Sequence, residues 1–164
     1  MIRRLSEVAV NVSVSYNLTG TGWAECTVAI DKQQATITAS YLSDALADLL
    51  GAVIRVVEGE AEATASFAEE PGEYRWRLIR IEPDRLLVRI LEFPQLWGHR
   101  PDEEGKLVLH AECRLRAFAG AILSASQRVL EEFGIAGYRE KWELYEFPQE
   151  KQETLWQRLR DGMG

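Results

Sequence analysis

Residues 69–93, EEPGEYRWRLIRIEPDRLLVRILEF, decide the fold of this chain. They contain two runs in which aliphatic or aromatic residues alternate with charged ones, and the pair Pro83-Asp84 separates the runs. Alternation with a period of two is typical of β-strands, and Pro and Asp are favoured in turns. We therefore predict a long antiparallel hairpin, which a tight turn at Pro71-Gly72 joins to the strand before it.

Two tight turns also predict which residues lie opposite each other. Trp76 is placed opposite Ala65 on the preceding strand and opposite Ile90 on the following one, and Leu78 is placed opposite Val88. Side chains directly across a strand pair lie on the same face of the sheet. These residues are apolar, so the sequence predicts that this face is packed against the core.

The rest of the chain is assigned from the spacing of its apolar residues, which recur every two residues in strands and about every 3.6 residues in helices. Strands are predicted at 8–16, 23–30, 33–39, 60–68 and 106–113, and helices at about 43–57 and 115–133. Gly134 is expected to end the second helix, and Pro148 to open a last helix that turns Leu155, Trp156 and Leu159 inward. The predicted fold is therefore α+β, in one domain over residues 1–164. It has a largely antiparallel sheet of six to seven strands, the order βββ-α-ββββ-α-α, and helices on one face.

The overall charge limits the classes of partner. The chain has 164 residues and a formal net charge of −7, so its long-range field repels phosphate backbones and anionic membranes. Its acidity suits a basic protein partner. The sequence has neither a signal-peptide pattern nor an apolar run long enough to span a membrane, and its two cysteines are too few for a disulfide framework. We therefore expect a cytoplasmic protein that binds neither nucleic acid nor membranes.

The sequence does not contain a catalytic motif. It has neither a G-x-S-x-G nucleophile turn nor a glycine-rich phosphate loop. His110 and Cys113 are three residues apart on a predicted strand, which sends their side chains to opposite faces and separates them as a catalytic pair. We therefore predict no catalytic residues, no metal site and no cofactor.

Residues 94–105, PQLWGHRPDEEG, form the longest irregular segment. Loops of this length in compact domains commonly have a function. We identify its candidate functional residues as Trp97, His99, Asp102 and Glu103. A histidine followed by an acidic run on a loop is a poor zinc site, because stable sites hold three or four ligands on rigid elements.

The outer face of the predicted hairpin combines arginines with aliphatic residues. The candidate binding surface consists of Arg75, Arg77, Arg89, Ile79, Leu87 and Leu91. Opposed like charges destabilise a strand pair unless they are neutralised, and the predicted pairing sets Arg77 opposite Arg89. Arginines beside aliphatic residues are typical of protein interfaces, although the last helix could also cover this face.

Two functions agree with these observations. The first is a non-catalytic interaction protein of the adaptor or immunity-like inhibitor class known from bacteria, which binds a protein partner and can self-associate as a homodimer. The second is a small-ligand-binding protein or small enzyme with a pocket between sheet and helices, lined by Trp23, Tyr74, Trp76 and Tyr138. The lack of a catalytic motif favours the first.

Overall fold

The computed structural model describes residues 11–96 and 98–162. The strands are β1 (Val12–Gly20), β2 (Trp23–Ile30), β3 (Gln33–Ser40), β4 (Glu62–Glu69), β5 (Gly72–Glu82), β6 (Arg85–Phe93) and β7 (Lys106–Cys113). The helices are α1 (Ala45–Val57), α2 (Leu115–Trp142) and α3 (Gln149–Asp161), and a short 3-10 turn spans Asp102–Glu104. The predicted order βββ-α-ββββ-α-α is confirmed. The part of the first predicted strand before residue 11 lies outside the described residues.

The strands form two antiparallel sheets, one with the order β1-β2-β3 and one with the order β4-β5-β6-β7. The predicted registers are confirmed: Trp76 lies opposite Ala65 and Ile90, and Leu78 lies opposite Val88. The third strand, β3, approaches β4 and β7, which are the two edge strands of the larger sheet. That the whole chain forms one domain stays a prediction.

The turn between β4 and β5 depends on Gly72. A Cβ atom at this position would lie 2.5 Å from the backbone carbonyl oxygen of Phe93, which is closer than real Cβ contacts allow. Glycine therefore lets the turn approach the end of β6 closely, as glycines do where two backbones meet. This approach brings the β4–β5 turn next to the start of the long loop.

An aromatic cluster forms the core over the larger sheet. The Trp76 ring lies 5.5 Å from the Phe67 ring and 6.4 Å from the Phe118 ring of α2, measured between centroids. Tyr16 of the smaller sheet meets Phe67 edge to face at 6.3 Å. All four rings are buried. The core therefore lies between the two sheets and the helices, on the face that the even-numbered residues of the hairpin were predicted to form.

Side chains of α1 and of the segment before it satisfy the backbone of edge strand β4. Asp48 Oδ2 accepts a hydrogen bond from the Ser66 amide at 2.7 Å, and Ser43 Oγ accepts one from the Ala68 amide at 3.0 Å. Arg55 donates to the carbonyl oxygen of Thr64 at 3.0 Å. An uncovered edge strand can pair with strands of other chains, so these contacts protect the β4 edge of the sheet against such pairing.

The helices agree with the sequence prediction at Gly134 and differ from it at two other points. Gly134 interrupts the second helix as predicted, with a non-helical φ of 71° and ψ of 173°, but a further helical stretch that was not predicted follows it and reaches Trp142. Tyr138 and Trp142 in this stretch are fully buried, and the Tyr138 ring contacts those of Trp142 and Phe147. Trp156 is 42% exposed beneath the guanidinium of Arg160, whereas Leu155 and Leu159 are buried as predicted.

Candidate functional site

The outer face of the larger sheet is the side opposite the buried core residues. We use this name for the face formed by Thr64, Arg75, Arg77, Ile79, Leu87, Arg89, Leu91, Phe93 and His110. The helices lie toward the other face, where Phe118 of α2 packs on Trp76. The predicted candidate residues of β5 and β6 therefore do share one face.

Arg75 and Arg77 hold the long loop on this face. Arg75 Nη1 donates to Asp102 Oδ1 at 2.8 Å and to the carbonyl oxygen of Arg100 at 2.7 Å. Arg77 Nε lies 3.3 Å from Asp102 Oδ2. One carboxylate thus contacts both arginines, and charge-assisted contacts of this kind are stronger than neutral hydrogen bonds. We call this arrangement of Arg75, Arg77 and Asp102 the Asp102 clamp.

The loop packs against residues of the predicted binding surface. The Arg75 guanidinium lies 4.2 Å above the centre of the Phe93 ring, and Gly105 lies so close that an added Cβ would be 2.6 Å from Phe93 Cζ. The Leu96 amide donates to the Pro71 carbonyl oxygen at 2.7 Å. Leu91, which lies opposite Arg75, is only 1% exposed. Its inclusion in the predicted binding surface is therefore wrong, because a buried side chain is not available to a partner.

The other candidate residues of the loop have different surroundings. His99 is exposed, with a positive φ of 49°. Glu103 is exposed in the short 3-10 turn, and Trp97 lies outside the described residues. Of the predicted loop residues, Asp102 is therefore the one for which the structure gives a defined role, and that role is to fix the loop.

Arg89 differs from Arg75 and Arg77, the other two arginines of the outer face, because it does not contact Asp102. It lies directly opposite Arg77 on one side and His110 on the other. Its Nε atom, like that of Arg77, is buried without a hydrogen-bond acceptor, but within residues 11–96 and 98–162 no carboxylate lies at ion-pair distance from the Arg89 guanidinium. A buried donor without an acceptor costs free energy. Among the described residues, Arg89 is therefore a cation at the centre of the face without a carboxylate partner.

The aliphatic residues beside Arg89 remain accessible. Ile79 and Leu87 lie directly opposite each other and are partly buried, and Ile81 beyond them is 47% exposed. The part of the outer face away from the loop therefore combines an apolar surface with an arginine. This combination is common in the cores of protein interfaces.

An acidic groove of about 480 Å³ lies beside the loop, at the end of the sheet. Its lining includes Glu69, Glu92, Glu104, Lys106, Pro71 and Phe93. Burial raises the pKa of Glu69, a hydrogen bond with Thr38 opposes this shift, and the nearby Glu92 carboxylate adds to it. The Tyr74 hydroxyl donates to Glu92, and burial is the first cause that raises the pKa of Tyr74 to about 12. Sequence analysis missed this groove because residues distant along the chain form it.

A second group of polar side chains lies inside the protein. The hydroxyl oxygens of Tyr16 and Tyr138 and Oδ1 of Asp44 are buried without hydrogen-bond partners. Burial is the main cause that raises the pKa of both tyrosines, and Asp44 contributes in each case. Burial also raises the pKa of Asp44 from 3.8 to about 6, although nearby Lys151 opposes the shift.

The raised pKa of Asp44 predicts that the stability of the protein depends on pH. This pKa is higher in the fold than in the unfolded chain, so the folded state binds the proton more tightly. The stabilisation that the fold gains from protonated Asp44 is therefore fully present below about pH 4, and it is lost as the pH rises through about 6. We expect Asp44→Asn to raise the free energy of unfolding at pH 8 by about 1 kcal/mol, allowing for partial solvent screening. Position 44 is the N-cap of α1, where Asn is about as favourable as Asp.

Urea unfolding between pH 5 and pH 8 measures this effect. The variant should show a smaller loss of stability across this range than the wild type, whereas the exposed control Glu140→Gln should follow the wild type. Equal pH dependence in the wild type and Asp44→Asn would contradict the assignment.

Neither cysteine is poised for nucleophilic chemistry. Cys26 and Cys113 are buried free thiols, and burial raises the pKa of each to about 12. His110 is exposed on the outer face while Cys113 is buried, which confirms that the two side chains lie on opposite faces. Within the described residues no cluster of three or more His, Cys, Asp or Glu side chains is suited to a metal ion.

None of the helices in residues 11–96 and 98–162 combines the length and apolar character that crossing a membrane requires.

Comparisons with known proteins identify no family for the chain. No family model matches it, and no curated protein matches it. One similar solved structure is a chain described as "CdiA-CT/CdiI toxin and immunity complex from Enterobacter cloacae". The sequence identity is 10% and the TM-score is 0.48, with 71% of this chain and 99% of that chain covered. Any proposal about function therefore has to come from the surface itself.

Proposed function

We propose that this chain is a non-catalytic interaction protein that binds another protein through the outer face of its larger sheet. The observation that carries the proposal is that Ile79 and Leu87 lie next to Arg89, whose charge has no carboxylate partner among the described residues. Arginine is enriched among the residues that supply most of the binding energy at interfaces, and the buried cores of interfaces are more apolar than the rest of the surface. The Asp102 clamp supports the proposal, because a fixed loop pre-organises the rim of the surface and lowers the entropic cost of binding.

The net charge of −7 favours a basic partner. The acidic groove beside the loop supplies a place where a lysine or arginine of that partner can bind, since Glu69 and Glu92 lie close together there. We further propose that the same outer face supports a homodimer, and that the protein acts in the cytoplasm without binding nucleic acid or membranes.

The burial of its expected lining residues makes the alternative of a ligand pocket between sheet and helices the weaker proposal. Trp76 and Tyr138, two of the rings expected to line it, are fully buried in the packed core, and Trp23 is exposed at the surface. Their hydrophobic packing accounts for these rings without a ligand.

Leu87→Asp tests the proposal, because it places a charge in the apolar part of the outer face. We expect the variant to lose at least about tenfold of the affinity for a protein captured by the wild type from a lysate of the source organism, since about 1.4 kcal/mol corresponds to tenfold. Mass spectrometry identifies the captured protein, and titration calorimetry measures the affinity. The same variant should abolish any dimer that light scattering detects in the wild type.

The matched control is Leu144→Asp, which changes an equally large but 59% exposed leucine after the second helix. Thermal unfolding of both variants checks that they remain folded. If Leu87→Asp binds as tightly as Leu144→Asp and the wild type, the outer face is not the binding surface.

A further inference from the structure

A row of polar side chains crosses the outer face at right angles to the strands. Thr64 of β4 lies opposite Arg77 of β5, Arg77 lies opposite Arg89 of β6, and Arg89 lies opposite His110 of β7. Residues directly opposite each other in antiparallel strands have Cα atoms about 4.5–5.5 Å apart. The row therefore brings two guanidinium groups and an imidazole together on one surface.

The two arginines of this row have very different surroundings. Arg77 Nη1 donates to Thr64 Oγ1 at 3.0 Å, and Nη2 donates to Glu62 Oε1 at 3.3 Å. Its Nε lies 3.3 Å from Asp102 Oδ2 in the Asp102 clamp. The Nε atoms of both arginines are buried without a hydrogen-bond acceptor, so the difference lies in the ion pairs. Among the described residues, Arg77 has two carboxylate partners, Glu62 and Asp102, and Arg89 has none.

We propose that Arg89 is the anchor of a docking site for an acidic segment of the protein partner. One side-chain carboxylate of that segment binds the guanidinium, and an adjacent aliphatic side chain packs on Leu87 and Ile79. This inference rests on the proposed function and adds the chemistry of the segment that the outer face recognises. Arginine is well suited to the role, because its planar donors match the geometry of a carboxylate.

Charge complementarity favours a carboxylate over a phosphate. In the part of the chain that the structure describes, the charge without a partner at the centre of the face is the Arg89 guanidinium, and one carboxylate balances it. Carboxylates surround the row at Glu62, at Asp102 and at Glu112, the last of which pairs with Arg85 at 2.8 Å. A phosphate group carrying nearly two negative charges would be repelled by these acids. The aliphatic neighbours of Arg89 also suit a peptide side chain.

A basic partner is compatible with a carboxylate at this position. The net charge steers association over long distances, whereas a single ion pair inside an interface fixes the register of the two surfaces. With a cationic side chain in the acidic groove and a carboxylate on Arg89, the partner is held in one orientation.

Nuclear magnetic resonance of the arginine side-chain Nε–H groups tests the inference directly. The probes are two capped peptides that differ in one residue, one with the central sequence Leu-Glu-Leu and one with Leu-Gln-Leu. We expect the glutamate peptide to shift the Arg89 signal with a Kd on the order of millimolar, a weak affinity for a short peptide. We expect the glutamine peptide to bind at least about fivefold more weakly.

The variant Arg89→Gln should abolish the response of the neighbouring Leu87 methyl signals, whereas Arg158→Gln on α3 should leave it unchanged. An equal response to both peptides, or the lack of any Arg89 response up to about 10 mM peptide, overturns the inference. Binding of the captured partner by the two variants distinguishes a failure of this inference from a failure of the proposed function. If Arg89→Gln binds it normally while Leu87→Asp does not, the surface is right and the carboxylate anchor is wrong.

Discussion

Replacing Trp76 with alanine is expected to lower the free energy of unfolding by about 3–5 kcal/mol. The indole is fully buried at the centre of the larger sheet and contacts the rings of Phe67 and Phe118. Its neighbours across the strands are Ala65 and Ile90, and the small alanine leaves space that the indole fills. The packed sheet prevents these groups from moving in to close the cavity, so the loss should be near the upper end of the range.

Urea unfolding followed by far-ultraviolet circular dichroism measures this effect, and the change in midpoint gives the change in stability. Trp76→Phe is the matched control. It keeps a ring in the core and removes the indole N–H, which has no acceptor in the structure, so we expect a loss of less than about 1.5 kcal/mol. A loss of less than about 1 kcal/mol for Trp76→Ala would mean that the aromatic cluster is not the centre of the core.

The position of Trp76 in the core could be predicted from the sequence because two tight turns fix the register of its strand with both neighbouring strands. Once Pro71-Gly72 and Pro83-Asp84 are assigned as turns, strand pairing leaves one register, and the period of two separates the core face from the outer face. The opposition of Arg77 and Arg89 follows in the same way and is confirmed. Turn residues and alternation were enough to predict this register because the paired strands follow one another directly in the sequence.

The Asp102 clamp could not be predicted in this way. Asp102 is 27 residues from Arg75 along the chain, and the loop that carries it has no periodic pattern to indicate its direction. Sequence analysis therefore treated the loop as a candidate functional segment and Leu91 as part of the binding surface, whereas in the fold Asp102 contacts the two arginines and Leu91 is buried. The contact depends on the tertiary path of the chain.

The helical stretch after Gly134 and the position of Trp156 show a different limit of sequence reasoning. Gly134 interrupts the second helix, as its local preference predicts, but the helical residues that follow it up to Trp142 were not predicted. Tyr138 and Trp142 in this stretch are fully buried, so tertiary packing stabilises a helix that the local sequence does not indicate. Trp156 is apolar by composition, yet it lies between two buried leucine positions and its ring contacts Arg160 at the surface.

Asp102→Ala is expected to destabilise the protein by about 1–2 kcal/mol and to release the loop from the outer face. The side chains of Arg75 and Arg77 are 15% and 27% exposed, so removal of their shared carboxylate leaves two poorly solvated cations on adjacent positions of one face. Breaking a fully buried pair costs about 3–5 kcal/mol, and partial exposure together with the remaining contacts of Arg77 to Glu62 and Thr64 reduces this value.

Hydrogen exchange and urea unfolding separate the two parts of this prediction. Amides of residues 98–105 should exchange faster in Asp102→Ala than in the wild type, while those of β5 and β6 should keep their protection. Asp102→Asn is the control, since it retains a side-chain oxygen acceptor without the charge and should lose less stability. A double-mutant cycle with Arg75→Met should give a coupling energy of at least about 0.5 kcal/mol, because the two side chains are in direct contact. Additive effects and unchanged exchange would show that other contacts hold the loop, and that the rim of the proposed binding surface does not depend on this carboxylate.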